Sequence, residues 1–421
     1  MSLPDIKKLT AGIAFKARKA ALGLQSVPVD SINRALRCMA ARLSSEKTAV
    51  QRENKKDLQA ARLKNMSPAL LDRLTLTDKT IDAMAHGLRE VAELRTPLGM
   101  EYDRRKRPNG LVICKVRVPI GVIAIIYESR PNVTVDAAAI CLKSGNAVIL
   151  RGGSESLHSN IALTKLFRAA LAETGLPCDS IQIIPAADRA AVRHLLTLSE
   201  HIDLVIPRGG EGLIRMVAEL SRIPVIKHYK GVCHVYVSAR ADMRKAIPIV
   251  VNAKVQRPSV CNAMETLLLD KQLPVNDRKN IINALLEEGV ILFGDPASRT
   301  LAWGMKKATI DDWKAEYLDL RLAVRTVSGV RQAIDHINTY GSHHTDAIVT
   351  ESPKEADLFL KEVDSSSVMV NASTRFADGG EYGMGCEIGI STDKLHARGP
   401  MGVEDLTSYK WLVKGNGQVR N

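Results

Sequence analysis

The chain has 421 residues, of which 45% are hydrophobic and 25% charged, and this composition predicts a globular protein of two or three domains. No run of about 18 uncharged apolar residues is present, and segment 1–8 lacks the apolar core of a secretory signal, so neither a membrane span nor export is expected. The seven cysteines contain no C-x-x-C pair, which argues against a disulfide framework and a zinc site and favours the reducing cytoplasm.

The net charge of the chain is +13. Nucleic-acid binding would explain it, but the basic residues are spread among acidic ones, the densest run is Arg104-Arg105-Lys106-Arg107, and aromatic residues make up only 4%. An enzyme for anionic substrates explains the charge through electrostatic steering, and a solvated basic surface with no role is the remaining alternative. We therefore expect no nucleic-acid partner.

The first 100 residues predict helices. Apolar residues recur there at helical spacing, at Ile32, Leu36, Met39 and Leu43 and again at Ile81, Met84 and Leu88. Residues 101–119 change character and predict a projecting hairpin, whose second strand at Leu111–Val118 alternates near its end. A projecting hairpin with alternating apolar residues needs a partner, so this segment is a candidate subunit contact.

After the hairpin, strands alternate with helices. Gly121–Tyr127 is a fully apolar strand, as in buried parallel sheets, and a helix is predicted at Val135–Lys143. Further short strands are predicted at Ala147–Leu150, Ile181–Ile184, Leu204–Ile206 and Val225–Ile226, and a second series begins at Val235–Val237. This alternation predicts open α/β sheets, whose ligands are expected at the carboxyl ends of the strands.

Cys261 lies on a predicted turn between a helix and a strand. The helical pattern that begins at Ala241 is stopped by Pro258, and the apolar run Thr266–Leu269 follows Cys261. A cation close to a turn cysteine, here Arg257, favours the thiolate form that acts as a nucleophile. A buried and inert cysteine is the alternative on these residues alone.

Two further groups of residues follow predicted strands. Asn132 could donate an amide hydrogen bond to a developing oxyanion, although a Pro-Asn pair is also an ordinary turn. The glycines in Arg151-Gly152-Gly153 and Arg208-Gly209-Gly210 would let a phosphate-bearing ligand approach the backbone N–H groups of a following helix. Arg151 could reach a nucleotide ribose or its 2′-phosphate. Glycine turns after strands are common, so each signal is weak by itself.

Together, in this order and spacing, these stretches resemble the aldehyde dehydrogenase superfamily over roughly the whole chain. The matching stretches are Val118–Ile123, Tyr127–Asp136, Gly145–Gly153, Ile206–Gly210, Gln256–Asn262, Val370–Phe376 and Lys394–Gly402. The resemblance implies an aldehyde-dehydrogenase-like α/β fold with a Rossmann-type cofactor domain (1–100 and 120–232), an α/β catalytic domain (233–385) and oligomerisation strands (101–119 and 400–421). The hairpin and a terminal strand at Ser408–Val413 together suggest a homo-oligomer, at least a dimer.

The resemblance also implies roles for individual residues. Cys261 matches the nucleophile of the superfamily, and Asn132 matches its oxyanion-hole asparagine. Arg151 takes the place of a lysine that usually contacts the cofactor ribose, and Glu316 matches a glutamate that holds the nicotinamide ribose. The residues expected to contact NADP(H) are therefore Arg151, Gly152, Gly153, Gly209, Gly210 and Glu316.

Within the superfamily the chain looks like the members that reduce the acyl phosphate of glutamate. This similarity implies NADPH-dependent reduction of L-glutamyl 5-phosphate to L-glutamate 5-semialdehyde through a cysteinyl thioester, the second step of proline biosynthesis from glutamate. Glutamate 5-kinase is a candidate donor of this substrate. A CoA-acylating aldehyde dehydrogenase is the alternative function.

One departure from the wider superfamily bears on the chemistry. Hydrolytic members carry a glutamate that activates water against the thioester, and in the matching stretch of this chain, residues 225–231, His228 falls near the place of that glutamate. Without a carboxylate base, attack by water should be slow, although a neutral His228 could still act as a base. An acyl phosphate is anionic, so the candidate substrate contacts are Arg257, Ser373, Thr374, Arg375 and Arg398, with a solvated surface side chain as the alternative for each.

The pair His343-His344 could suggest a metal site. No third ligand is nearby at ligand spacing, so we expect a surface loop at this pair and no metal.

Overall fold

The computed structural model describes residues 2–420. The chain divides into two compact units. Unit 1 contains the chain up to Lys227, Gly383–Gly389 and the segment from Met401 onward, and unit 2 contains His228–Tyr382 and Ile390–Pro400. Among the described residues, none of the helices has the length and apolar character needed to cross a bilayer.

Unit 1 begins with helices and continues as an α/β sheet. Its helices are α1 (Leu3–Leu24), α2 (Val29–Ser45), α3 (Lys47–Leu63), α4 (Pro68–Leu74), α5 (Asp78–Glu93), α6 (Asn132–Lys143), α7 (Leu157–Glu173), α8 (Arg189–Leu195) and α9 (Glu211–Leu220). Its strands are β1 (Glu101–Lys106), β2 (Val112–Pro119), β3 (Val122–Tyr127), β4 (Ala147–Arg151), β5 (Ile181–Ile183) and β6 (Leu204–Arg208).

The core of unit 1 is a parallel sheet in the order β5-β4-β3-β6. Every residue of β3 and of β4 is buried, because α1 and the helices between the strands cover the sheet. Full burial explains why these strands are continuous apolar runs with no alternation. The predicted strand at Val225–Ile226 is wrong, since this segment forms only an isolated bridge from Val225 to Val205.

The predicted hairpin at 101–119 and the predicted terminal strand form a second sheet of unit 1. The strand β2 lies between β1 and the C-terminal strand β16 (Thr407–Lys414), and both pairings are antiparallel. Lys115 places its ammonium 4.6 Å from the ring centre of Tyr409 and 4.8 Å from that of Trp411. Both rings are about half exposed, so the strand β16 presents an aromatic edge to solvent.

Unit 2 is built on a larger parallel sheet. Its strands are β7 (Cys233–Val237), β8 (Met264–Asp270), β9 (Ile291–Gly294), β10 (Lys306–Lys307), β11 (Arg321–Val327), β12 (Thr345–Val349) and β13 (Ser367–Val370). Its helices are α10 (Met243–Val255), α11 (Val275–Glu287), α12 (Val330–Tyr340) and α13 (Pro353–Glu362). Two short strands, β14 (Gly389–Ser391) and β15 (Gly399–Met401), complete the described elements.

The strand order of unit 2 places its reactive side chains together. The order is β10-β9-β11-β8-β7-β12-β13, and all pairings are parallel. The three adjacent strands β8, β7 and β12 therefore begin at the same edge of the sheet. Cys261 lies just before β8, Cys233 opens β7, and His344 immediately precedes β12.

Candidate functional site

Cys261 lies on a turn, as predicted from its sequence. The helix α10 ends at Val255, the chain turns through Pro258, and β8 starts at Met264. Cys261 is half-buried, so its thiol is neither sealed in the core nor fully exposed. The expectation that ligand-binding groups follow the carboxyl ends of strands is wrong for this thiol, because the loop that carries it precedes a strand and lies at the amino edge of the sheet.

A close backbone approach fixes the turn that carries Cys261. A Cβ atom at Gly231 would lie 1.8 Å from the carbonyl oxygen of Cys261 and 2.7 Å from its Cα, so only glycine fits there. The N–H of Gly231 donates to a carboxylate oxygen of Glu316 at 2.8 Å. Glu316, the proposed ribose contact, is therefore anchored to the backbone that supports the Cys261 turn.

Three side chains surround the Cys261 thiol within unit 2. The Cys233 thiol donates to the carbonyl oxygen of Cys261 at 3.2 Å, and burial raises the pKa of Cys233 well above its ordinary value. Cys233 is thus a protonated structural thiol beside the proposed nucleophile. Metal-ligating atoms of His228, Cys261 and His344 all lie within 4.8 Å of one another. The thiol therefore has two imidazole neighbours.

The two histidines differ in their surroundings. His344 is completely buried, and burial together with the nearby His228 lowers its pKa to about 3, so it is a neutral imidazole at any physiological pH. The prediction of a surface loop at His343-His344 is wrong for His344, since the strand β12 that follows it draws it into the interior. His228 is half-buried and its Nδ1 lies 2.8 Å from the carbonyl oxygen of Ile390.

Arg375 bridges the two ends of the Cys261 turn. Its Nε donates to the side-chain oxygen of Gln256 at 2.8 Å, and its Nη1 donates to the side-chain oxygen of Asn262. The Asn262 amide donates in turn to the carbonyl of Ala377 at 2.9 Å. Burial, and then repulsion from Arg257, lower the pKa of Arg375, which is the signature of clustered cations beside the thiol.

The other predicted substrate contacts differ in how far they are already engaged. Arg257 is exposed, and within the described chain it makes no hydrogen bond or ion pair. Arg398 instead donates to the Asp364 carboxylate at 2.8 Å. The Ser373 oxygen accepts from the backbone N–H of Arg375 at 3.3 Å, whereas the Thr374 hydroxyl is buried with no partner among residues 2–420. Arg257, the hydroxyl of Thr374 and the buried Nε of Arg398 thus keep open hydrogen-bonding capacity.

A buried ion pair that the sequence analysis missed lies beneath the turn. The Lys254 ammonium lies 2.6 Å from the Glu265 carboxylate, and neither side chain is exposed. The second oxygen of Glu265 accepts from the backbone N–H of Leu318, two residues after Glu316. Burial raises the pKa of Glu265 to about 7 and lowers that of Lys254. The available signal was a glutamate at the start of the otherwise apolar strand Met264–Leu269.

In unit 1, Asn132 is the first residue of α6. It does not stand on an isolated Pro-Asn turn, since Pro131 caps the helix and Asn132 continues it. Its side-chain amide donates to the Asp136 carboxylate at 3.0 Å. Burial raises the pKa of Asp136 to about 6, while Asn132 and Arg208 oppose this shift. The proposed oxyanion donor is therefore oriented by an acid one helical turn away.

Arg151, the predicted ribose contact, is buried against its own backbone. Its guanidinium donates to the carbonyls of Gly152 at 2.9 Å and of Ala187 at 3.0 Å, and its Nε is buried without a partner in the described chain. A Cβ at Gly152 would lie 2.0 Å from the Asn160 amide, so this glycine allows close packing of the strand end. Gly153 lies in the same turn, where the three atoms nearest to an added Cβ belong to the Glu155 carboxyl group, which accepts hydrogen bonds from Ser129.

The second glycine pair follows β6 and opens the helix α9. Gly210 is the N-cap of this helix, and its N–H donates to the Glu128 carboxylate at 2.9 Å. A Cβ at Gly209 would lie 2.4 Å from the same carboxylate, whereas at Gly210 the nearest atom is 4.0 Å away. The glycine loop lies at a helix N-terminus, a position that favours phosphate groups, and the Glu128 carboxylate contacts the N–H of Gly210 there.

The strand order of unit 1 brings these groups to one edge. Glu128, Gly152 and Gly209 each follow one of the adjacent parallel strands β3, β4 and β6. They share the carboxyl edge of the sheet, as expected for a nucleotide site in an open α/β fold.

Comparisons with known proteins agree with this arrangement. The model of the aldehyde dehydrogenase family matches residues 12–304. The chain is 55% identical to a gamma-glutamyl phosphate reductase of Geobacter metallireducens, over 97% of this chain and 98% of that protein. The chain belongs to the aldehyde dehydrogenase family, among the gamma-glutamyl phosphate reductases.

Two solved structures are similar in fold to this member of the aldehyde dehydrogenase family. The crystal structure of a gamma-glutamyl phosphate reductase from Thermotoga maritima has a TM-score of 0.96 and 43% identity, covering 98% of this chain and 100% of that one. An acetylating aldehyde dehydrogenase from Geobacillus thermoglucosidasius shares the fold alone, with a TM-score of 0.71 and 15% identity over 100% of this chain and 99% of that one. The predicted fold class is therefore confirmed, and family membership implies a nicotinamide cofactor.

Proposed function

We propose that the chain reduces L-glutamyl 5-phosphate to L-glutamate 5-semialdehyde and inorganic phosphate with NADPH, in the synthesis of proline from glutamate. The observation that carries the proposal is the 55% sequence identity with a gamma-glutamyl phosphate reductase, which extends over 97% of this chain. The half-buried Cys261 on its turn supplies the thiol that the reaction needs. The seven cysteines are all unpaired, which fits a reducing compartment such as the cytoplasm.

The first chemical step is acyl transfer to the thiol. The Cys261 sulfur attacks the acyl carbon of the substrate, the bond to the phosphate oxygen breaks, and phosphate leaves with the electron pair. A thioester remains on Cys261. The Asn132 amide, by resemblance, and the backbone N–H of Cys261 are the proposed donors to the developing oxyanion.

The second step converts the thioester to the aldehyde. The nicotinamide cofactor, when bound, supplies a hydride for the thioester carbon. The resulting hemithioacetal then releases the semialdehyde and returns the thiolate to Cys261. Because His228 stands where hydrolytic relatives carry a glutamate, no carboxylate base is aligned to drive water onto the thioester. The acyl group is thereby kept for reduction or for return to phosphate.

The arginines near Cys261 are proposed to have different roles, according to whether their guanidinium groups already make hydrogen bonds. Arg257 is proposed to meet the phosphate, because it is exposed and makes no polar contact within the described chain. Arg375 is proposed to stabilise the turn and add positive potential beside the thiol, since its guanidinium is already committed to Gln256 and Asn262. Ser373, Thr374 and Arg398 remain candidates for the substrate carboxylate, with Thr374 favoured by its buried, unpartnered hydroxyl.

The residues of unit 1 fit a dinucleotide at the carboxyl edge of its sheet. The proposed contacts are Gly209 and Gly210 for the phosphates, at the N-terminus of α9, with Gly152 and Gly153 lining the adjacent turn. Arg151 would contact the ribose or a 2′-phosphate by exchanging a carbonyl partner for the ligand. The preference for NADPH over NADH rests on this arginine and on the resemblance, and Glu316 in unit 2 is the proposed contact of the nicotinamide ribose.

Assembly and supply of substrate are further parts of the proposal. The half-exposed aromatic edge of β16 and the edge strand β1 would pair with a second copy of the chain, because exposed edge strands invite such pairing. The labile acyl phosphate would come from glutamate 5-kinase. Trp411→Lys is expected to lower the oligomeric mass measured by light scattering, and an unchanged mass would refute the β16 contact.

The reverse reaction tests the function. Oxidation of glutamate semialdehyde with NADP⁺ should require inorganic phosphate and should not respond to CoA, and the acyl group should be found on Cys261 by mass spectrometry. Cys261→Ala should abolish NADPH formation, while Cys178→Ala, another half-buried free cysteine, should leave it unchanged. CoA dependence would instead favour the CoA-acylating alternative, and full activity of Cys261→Ala would overturn the mechanism.

A further inference from the structure

The surroundings of Cys261 contain more ligating chemistry than the proposed reaction uses. The reaction needs a thiolate, an oxyanion donor and a hydride, and none of these roles requires two imidazoles. Yet ligating atoms of His228 and His344 lie within 4.8 Å of the Cys261 sulfur and of each other. One thiolate and two imidazoles form a donor set that suits zinc among the divalent cations.

We propose that His228, Cys261 and His344 form a binding site for Zn²⁺, or a divalent cation of similar softness, that reversibly caps the nucleophile. Binding of the cation as an inhibitor rests on the proposed function, because the thiol must be the reacting group. Binding of the cation as such rests only on the geometry of the three side chains.

The spacing of the donors is compatible with tetrahedral zinc. With Zn–S near 2.3 Å and Zn–N near 2.0–2.1 Å, ligand atoms in a tetrahedral site lie roughly 3.3–3.6 Å apart. A separation of at most 4.8 Å therefore closes by side-chain rotation of about 1 Å, without movement of the sheet. Three protein ligands leave a fourth position for water or an anion, which is the coordination of reactive rather than purely structural zinc sites.

His228 already has the supporting contact that a zinc ligand needs. Its Nδ1 lies at hydrogen-bond distance, 2.8 Å, from the carbonyl of Ile390. A ligating histidine almost always donates its second ring N–H to a carbonyl or carboxylate, which fixes the tautomer and leaves the other nitrogen for the metal. The carbonyl of Ile390 would play this supporting part for His228 when its other ring nitrogen binds the cation.

His344 supplies an independent observation. It is completely buried, and its Nδ1 lies 2.9 Å from the Thr345 hydroxyl, whereas its Nε2 is buried with no hydrogen-bond partner among the described residues. A buried polar atom without a partner is costly, and a metal ion that bound at Nε2 would remove this cost.

The nearby charges balance the cation only in part. Arg375 lies close enough to the thiol to disfavour a bound cation, and its guanidinium is fixed to Gln256 and Asn262. Opposing it, the Glu316 carboxylate is held at the N–H of Gly231, against the backbone of Cys261. Because Arg375 repels the cation and Glu316 attracts it, we expect the cation to bind reversibly. Cys233 lies outside the cluster, and its thiol donates to the carbonyl of Cys261.

The His343-His344 pair lacked a third ligand when only neighbouring positions in the sequence were considered. The strand order β8-β7-β12 supplies that ligand from distant parts of the chain. Of this pair, only His344 belongs to the proposed metal site, and His343 lies outside the cluster.

The test uses the full chain, free of tags, with Zn²⁺ as the probe. Equilibrium binding against a chromophoric chelator should give one Zn²⁺ per chain, and alkylation of Cys261 by iodoacetamide, followed by mass spectrometry, should slow at least about 10-fold when zinc is bound. His228→Asn and His344→Asn keep an amide at the position of Nδ1 but remove Nε2, and each should weaken zinc binding at least about 10-fold. A chelator should restore the alkylation rate.

Controls separate this site from fortuitous binding. His336→Asn removes another buried histidine of unit 2 whose Nε2 lacks a partner, but outside the cluster, and should bind zinc like the parent chain. Cys233→Ser should also retain zinc affinity, whereas Cys261→Ser should lose it. Zinc affinity that is unchanged in Cys261→Ser or His344→Asn, or unchanged alkylation of Cys261 with zinc bound, would overturn the inference.

Binding and catalysis fail separately in this design. If zinc binds and protects Cys261 but the chain does not oxidise glutamate semialdehyde with NADP⁺ and phosphate, the metal site stands and the proposed function falls. If the chain is active and zinc neither binds nor slows the reaction, the proposed function stands and the metal site falls.

Discussion

The parallel sheet of unit 1 and the parallel sheet of unit 2 carry their candidate functional groups at opposite edges. In unit 1, Glu128, Gly152 and Gly209 follow strands and share the carboxyl edge, where the helix α9 begins. In unit 2, Cys261 and His344 precede strands and share the amino edge. The carboxyl edge offers helix N-termini, whose N–H groups bind anions without help from side chains. The amino edge does not offer the N–H groups of helix N-termini, so its loops must be held in place by side-chain contacts.

This difference predicts where substitutions matter most. The Cys261 turn depends on Arg375, Glu316 and the close approach of Gly231, so a single change there displaces the reacting atom. In unit 1, Asn132 contacts an acid in its own helix and Arg151 donates to backbone carbonyls, and the backbone carries most of the proposed cofactor binding. We therefore expect large effects in unit 2 and small ones in unit 1.

Gly231→Ala should have the largest effect. The added Cβ would meet the carbonyl of Cys261 at 1.8 Å, which forces the turn to move. A displacement of about 1 Å at the reacting atom can cost about 100-fold in kcat, and we expect a loss of at least that size. Steady-state kinetics measure it, with circular dichroism to verify folding. Gly212→Ala is the matched control, since nothing lies within 4 Å of its Cβ, and near-normal activity of Gly231→Ala would show that the turn is not rigid.

Arg375→Met should follow, with a loss of about 10- to 100-fold in kcat/KM, because it removes both hydrogen bonds that bridge the Cys261 turn and a cation beside the thiol. Iodoacetamide reactivity of Cys261 reports on the thiol separately from substrate binding and should also fall. Arg398→Met is the comparison, since Arg398 is paired with Asp364. Equal losses in both variants would mean that the contacts of Arg375 with the Cys261 turn matter no more than the pairing of Arg398 with Asp364.

The amino edge is also where sequence reasoning was least complete. The alternation of strands and helices, the hairpin and the turn at Cys261 could all be predicted, because each depends on local patterns such as apolar runs and Pro258. The clustering of His228 and His344 with Cys261 could not, because it depends on strand order. Strand order is set by packing of the whole sheet and leaves no mark at neighbouring positions.

The carboxyl edge was easier to predict for a physical reason. Its glycines and Arg151 immediately follow apolar strands, so position in the chain and position in the fold coincide. The sequence did not reveal which internal hydrogen bonds these groups already make. Arg151 donates to two carbonyls, and Glu128 accepts from the N–H of Gly210, so a ligand must exchange with internal partners.

Asp136→Asn should change the pH dependence of stability. The pKa of Asp136 is raised to about 6 from 3.8, so between these values the folded protein retains a proton that the unfolded chain releases. Its contribution to the free energy of unfolding therefore falls as pH rises from about 4 to 6 and levels off above. Relative to the parent, Asp136→Asn should gain about 1–3 kcal/mol across this window. Urea unfolding at pH 4, 5, 6 and 7 measures the difference, and parallel curves would contradict the prediction.

Arg151→Gln should have the smallest effect of the four. It removes donors to the carbonyls of Gly152 and Ala187 and a proposed contact of the cofactor, but the glycine loop at α9 remains. We expect KM for NADPH to rise several-fold, about 1 kcal/mol or less in binding, with little change in kcat. KM for NADH decides the role of this residue. If Arg151 meets the 2′-phosphate, only the NADPH value should rise, whereas equal rises for both cofactors would assign Arg151 to holding the strand end and leave NADPH preference to other groups.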